Sequence, residues 1–106
     1  MNLETITKAI GEARKYPYLN RVGLFGSYSR SENNLNSDVD ILIDYDDSSD
    51  DFMDNIGRFM EDMEKHIPNK IDYLTLQGVN KSKDTNFRES VMRDTKWIYI
   101  SSRATI

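Results

Sequence analysis

The chain has 106 residues, 38 % of them hydrophobic and 30 % charged, and a net charge of −4. That length and balance suit one hydrophobic core and exclude a disordered chain, so residues 1–106 read as a single domain. The acidic balance argues against general nucleic-acid binding. With no cysteine, no apolar run of roughly 20 residues and no basic-then-apolar N-terminus, the chain fits a cytoplasmic protein outside the membrane.

Leu3, Ile6, Ile10 and Ala13 recur at helical spacing, predicting a first helix over about residues 2–15 that Pro17 stops. Arg21 to Phe25 reads as a short strand feeding the tight turn Gly26-Ser27. After the polar Ser31–Ser37 loop, Val39 to Tyr45 predicts a second strand. Phe52, Ile56, Phe59 and Met63, with Met53 and Met60 beside them, predict a second helix capped by Ser48 or Ser49. This methionine stripe is most simply core, with part of it available to a partner. Pro68-Asn69 breaks the helix, and Lys70 to Leu76 predicts a third strand. A short helix around Phe87, Val91 and Met92 and a strand over Trp97–Ile100 complete the chain. Helices alternating with strands predict an α/β (α+β) fold, a small sheet with helices packed on it.

One segment carries chemistry: Gly23-Leu24-Phe25-Gly26-Ser27-Tyr28-Ser29-Arg30 and, after seven residues, Asp38-Val39-Asp40-Ile41. In a strand, Asp38 and Asp40 project from one face with Cα atoms about 6.5–7 Å apart. Two such carboxylates can share divalent cations. Mg²⁺ takes one or two protein carboxylates together with phosphate oxygens and water. Asp72, in Ile71-Asp72-Tyr73-Leu74, offers a third acid from another strand. Three acids on neighbouring strands can hold two metals, which clamp the attacking and leaving oxygens of an in-line displacement. Gly26 lets a phosphate approach the backbone, Ser27 offers a hydroxyl and an N–H, and Arg30 can pair with a phosphate oxygen. Blander readings exist: Asp38 and Asp40 as the wet face of a strand, Asp72 as an acid paired with Lys70, and Arg30 as a structural ion pair. Asp44, Asp46, Asp47, Asp50 and Asp51 read as loop solvation and helix N-terminal charge, and His66 as a bystander near a helix end.

Gly26-Ser27-x-x-Arg30 followed by Ser37-Asp38-Val39-Asp40-Ile41 resembles the signature of the DNA polymerase β-like nucleotidyltransferase superfamily, and the short length its minimal nucleotidyltransferase branch. Asp72 matches the position of the family's third carboxylate. The chain departs from the family pattern at Ser29, where members often carry Ala, and at Ser31, where they often carry Gly. The resemblance implies Asp38, Asp40 and Asp72 as Mg²⁺ ligands, with Asp72 also helping to deprotonate an acceptor. It implies Gly26, Ser27 and Arg30 as binders of the ATP triphosphate.

Larger members add a helical acceptor-binding domain, for which 106 residues leave no space. In the minimal branch the acceptor is typically a HEPN-family toxin and the nucleotidyltransferase is its antitoxin. The resemblance thus implies transfer of AMP from ATP to a hydroxyl of that toxin, a tyrosine in the first instance. The alternatives are an antitoxin that neutralises by binding alone, with vestigial acids, and, ranked last, a small-molecule nucleotidyltransferase.

Overall fold

The computed structural model describes residues 3–26, 28 and 37–102. The N-terminal apolar spacing yields α1 (Leu3–Gly11), which tightens into a 3₁₀ turn over Glu12–Lys15 before Pro17, as helix ends commonly do. The longer amphipathic pattern yields α2 (Phe52–His66), with Ile56, Phe59 and Met63 buried. Met53 is exposed, and Met60 packs at the margin of the core. Neither Ser48 nor Ser49 caps α2. The residue before the helix is Asp51, which makes no side-chain cap bond, while the Ser49 hydroxyl accepts the Asp51 N–H at 3.4 Å.

Four strands form one mixed sheet: β1 (Leu19–Phe25), β2 (Val39–Tyr45), β3 (Ile71–Thr75) and β4 (Lys96–Ile100), in the order β3-β2-β1-β4. The β1 strand runs antiparallel to both β2 and β4, whereas β2 and β3 are parallel. A tight turn cannot join parallel neighbours, so the chain crosses from β2 to β3 through α2. Leu76, expected to end the third strand, instead opens α3 (Leu76–Lys81), where the Thr75 hydroxyl accepts the Gly78 N–H at 3.1 Å. This helix was not legible in the sequence: it is six residues long, contains a glycine and buries only Val79. The final helix, α4 (Thr85–Asp94), begins where the Asp84 carboxylate accepts the Phe87 N–H at 3.1 Å.

Register partners in adjacent strands project to the same side of a sheet. Val22, Leu24, Ile41, Ile43 and Val39 therefore share one face, and with α1 and α2 they form the main core. Phe25, Asp40, Leu42, Asp72 and Leu74 share the other face. A second, smaller cluster occupies that face, where Leu42, Val79 and Val91 meet Phe25, Leu74, Leu76 and Trp97. Lower on the same face Arg21 pairs with Asp44 at 2.9 Å and lies 4.2 Å from the Trp97 ring centre. Asp44 is thus a strand acid in an ion pair, not a loop residue.

Gly23 makes room for Trp97 and its strand: a Cβ there would stand 2.8 Å from Thr95 Cγ2 and 2.9 Å from the Lys96 carbonyl oxygen. Gly23→Ala should therefore destabilise the fold by about 1–3 kcal/mol, the usual cost of overpacking, measurable by urea denaturation.

Two tyrosines should ionise late. A hydrogen bond from its hydroxyl to Asp62, then burial, pushes Tyr16 up to about 12, and burial, then the nearby Glu64, pushes Tyr73 up to about 12. Both pKa values are raised, so their contribution to stability is complete below the ordinary tyrosine value of about 10 and is lost as pH rises through about 12. A tyrosinate absorbance titration should show a phase delayed to about pH 12, and Tyr16→Phe should shrink that phase.

Candidate active site

The end of the second face that α3 and α4 leave open carries the acids. Asp40 lies directly opposite Asp72 in the parallel β2–β3 ladder, and opposite Phe25 in the antiparallel β1–β2 ladder. Because register partners share a face, the two carboxylates emerge side by side from adjacent strands. Asp38 lies just before β2 and is exposed. Ladder bonding continues past the strand ends, for the Val39 N–H donates to the Lys70 carbonyl oxygen at 2.9 Å. Among the described residues no three His, Cys, Asp or Glu side chains close into a metal cage. Asp72 is also engaged, with Lys70 Nζ 3.7 Å from its Oδ1.

Gly26 follows β1 with φ of +72°, a left-handed conformation that favours glycine. A Cβ at this position would overlap Asp40 Oδ2 and stand 3.1 Å from Asp40 Cγ. The turn and the strand acid are therefore in direct contact. Ser27 and Arg30, expected to bind phosphate, lie outside the described residues, as do Ser29 and Ser31.

Two supporting residues were not singled out in the sequence. Tyr28 is buried in the main core immediately beyond the Gly26 turn. Asn69 Nδ2 donates to the Tyr28 hydroxyl at 3.5 Å and to the Ser37 carbonyl oxygen at 2.9 Å. Together they tie the Gly26 turn, the approach to β2 and the approach to β3 to one another. The only cue in the sequence was an aromatic residue inside a polar turn; Asn69 read as a helix breaker.

The remaining acids and the histidine do not converge here. Asp46 accepts the Ser48 N–H at 2.9 Å within its loop. His66 donates from Nδ1 to the Asp62 carbonyl oxygen at 2.8 Å at the end of α2. With Thr5, Lys8, Ala9 and Glu12 it lines a shallow cavity of about 260 Å³ in the helical layer, across the sheet from Asp40 and Asp72. Among the described residues no helix is long and apolar enough to cross a membrane.

Two oxygen-donor acids in register, beside a glycine turn, suit a hard divalent cation. Mg²⁺ retains several waters and takes one or two protein carboxylates alongside substrate phosphates, so Asp40 and Asp72, with Asp38 at the rim, fit that demand without a closed cage.

Residues 7–104 match the family model described as polymerase beta, nucleotidyltransferase. A Methanocaldococcus jannaschii protein whose name proposes protein adenylyltransferase activity is 30 % identical over 59 residues, covering 56 % of this chain and 59 % of that relative. The match thus spans about three fifths of the relative's length. The fold is similar to a chain of a toxin–antitoxin crystal structure with AMP-PNP, with a TM-score of 0.62 and 24 % identity, over 97 % of this chain and 77 % of that one. It is also similar to a chain of the complex of a tri-AMPylated Shewanella oneidensis HEPN toxin with its MNT antitoxin, with a TM-score of 0.60 and 22 % identity, over 99 % of this chain and 77 % of that one.

Proposed function

Because the chain belongs to the polymerase beta nucleotidyltransferase family, we propose that it transfers AMP from ATP, with Mg²⁺, to a hydroxyl of a HEPN-family toxin and so serves as the antitoxin. The observation that carries this reading is the in-register pair Asp40–Asp72 beside the left-handed Gly26 turn. The AMPylated HEPN toxin and the AMP-PNP complex among its structural likenesses support the donor and the partner.

Asp38, Asp40 and Asp72 are the residues that would hold the metal ions, with Gly26, Ser27 and Arg30 receiving the triphosphate. Mg²⁺ held by these acids would neutralise phosphate charge and stabilise the leaving group. The acceptor oxygen, a tyrosine hydroxyl in this reading, attacks the α-phosphorus. The bond from that phosphorus to the bridging oxygen breaks, pyrophosphate departs, and the hydroxyl proton passes to Asp72. Attachment of a charged nucleotide would then block a toxin's RNA-cutting site by bulk and by repelling phosphate.

A second reading, neutralisation by binding alone, is favoured by the engagement of Asp72 with Lys70. The two readings separate in one experiment. Mass spectrometry of the partner after incubation with this protein, ATP and Mg²⁺ should show added AMP, and the modified partner should lose its toxicity. An Asp40→Asn/Asp72→Asn double variant that still protects cells fully at matched expression would replace the catalytic account with the binding one.

Nucleotide binding should itself require the divalent cation, because carboxylates facing a triphosphate repel it until the charge is neutralised. Calorimetry with ATP should show clear binding with Mg²⁺ and a large loss with chelator. Equal affinity in both would remove the acids from the nucleotide site.

A further inference from the structure

We infer that Lys70 is a built-in counter-cation of this site, holding Asp72 in the free protein and releasing it to the divalent cation when a triphosphate arrives. The inference rests on the metal reading above. Lys70 immediately precedes β3, and its carbonyl oxygen accepts the Val39 N–H at 2.9 Å, which sets it alongside the Asp38 end of β2. Lys70 and Asp72 are two residues apart, and Lys70 Nζ stands 3.7 Å from Asp72 Oδ1. Asp72 in turn aligns with Asp40. Among the described residues, one ammonium group therefore sits at an end of the sheet that bears three carboxylates.

This placement has a physical consequence. Three like charges at one end of the sheet repel, and an adjacent ammonium relieves part of that repulsion. A divalent cation seeking Asp72 competes with it, so metal loading of the nucleotide-free protein is opposed. A triphosphate reverses the balance, because it offers the displaced ammonium phosphate oxygens of its own. The lysine stem is flexible, and its head is exposed enough to move: Lys70 is 71 % and Asp72 47 % exposed. Metal and nucleotide would then load together. Exposure also limits the size of the effect to the few-fold range of surface ion pairs.

The test is Mn²⁺ titration of the whole chain by calorimetry, without nucleotide. Lys70→Ala should tighten Mn²⁺ binding about two- to fivefold, and Lys70→Arg, which keeps the charge, should stay near wild type. In an Asp72→Asn background the Lys70→Ala effect should vanish, as a double-mutant cycle requires of a specific pair. With a saturating non-hydrolysable ATP analogue the sign should invert, Lys70→Ala now weakening Mn²⁺ retention. Unchanged Mn²⁺ affinity in Lys70→Ala, or an equal gain in the Asp72→Asn background, overturns the pairing. A gain that persists with the analogue overturns the release to nucleotide. Wild-type protein that retains no Mn²⁺ even with the saturating analogue overturns the metal reading as well, which distinguishes that failure from a failure of the Lys70 role alone.

Discussion

Asp40→Asn should reduce nucleotidyl transfer by more than about a hundredfold while leaving the protein folded. Even the outer partners of metal ligands cost about 10–100-fold when replaced, and Asp40 is placed to be a ligand itself. Its side chain emerges beside Asp72 and against the Gly26 turn, so the lost charge falls where a triphosphate's cation would have to sit. Asparagine has the same shape, opens no cavity in the main core and keeps a carbonyl oxygen as an acceptor. Transfer of labelled AMP from ATP measures the loss, and circular dichroism with thermal melting verifies the fold. Ordinary turnover in this variant, with Mg²⁺ present, would falsify the metal assignment.

Gly26→Ala should be nearly as damaging to activity and also cost stability. At φ of +72° an L-residue is disfavoured by about 1–2 kcal/mol. The new Cβ would also run into the Asp40 carboxylate, which must then swing away or push the turn outward. Misplacement by about 1 Å at a reacting centre can cost about 10²-fold, so the loss of turnover should exceed what the stability change explains. Urea denaturation reads the first quantity and steady-state transfer the second. Turnover near wild type, with stability lowered as expected, would show that the Gly26–Asp40 contact is structural only.

How much of this was legible in the sequence differs from residue to residue. The β2 strand was predicted with its observed ends, Val39 and Tyr45, because its apolar alternation is a local property of successive residues. Ile6 and Ile10 of α1 and Ile56, Phe59 and Met63 of α2 were equally legible from their helical spacing, which repeats along a single element, whereas Leu3 of the same pattern is exposed and the buried Ala9 was not foreseen. Asp40 and Gly26 stood out because a strand acid after a glycine turn is a pattern within one short stretch. The end of β3 was misplaced by one residue, since the Thr75 cap and the short α3 carry almost no periodic signal.

By itself, then, the sequence determined the class of fold, the site's candidate acids and the kind of ligand they suit, because residue type and spacing specify those locally. Only the tertiary structure decided that Asp72 stands opposite Asp40 and that both share a face with Trp97 and Leu42. It also decided that Tyr28 and Asn69 brace the approach to the site. Register and face are properties of backbone pairing between segments far apart in the chain. A one-residue slip of β3 against β2 would leave every local pattern intact and turn Asp72 to the opposite side of the sheet.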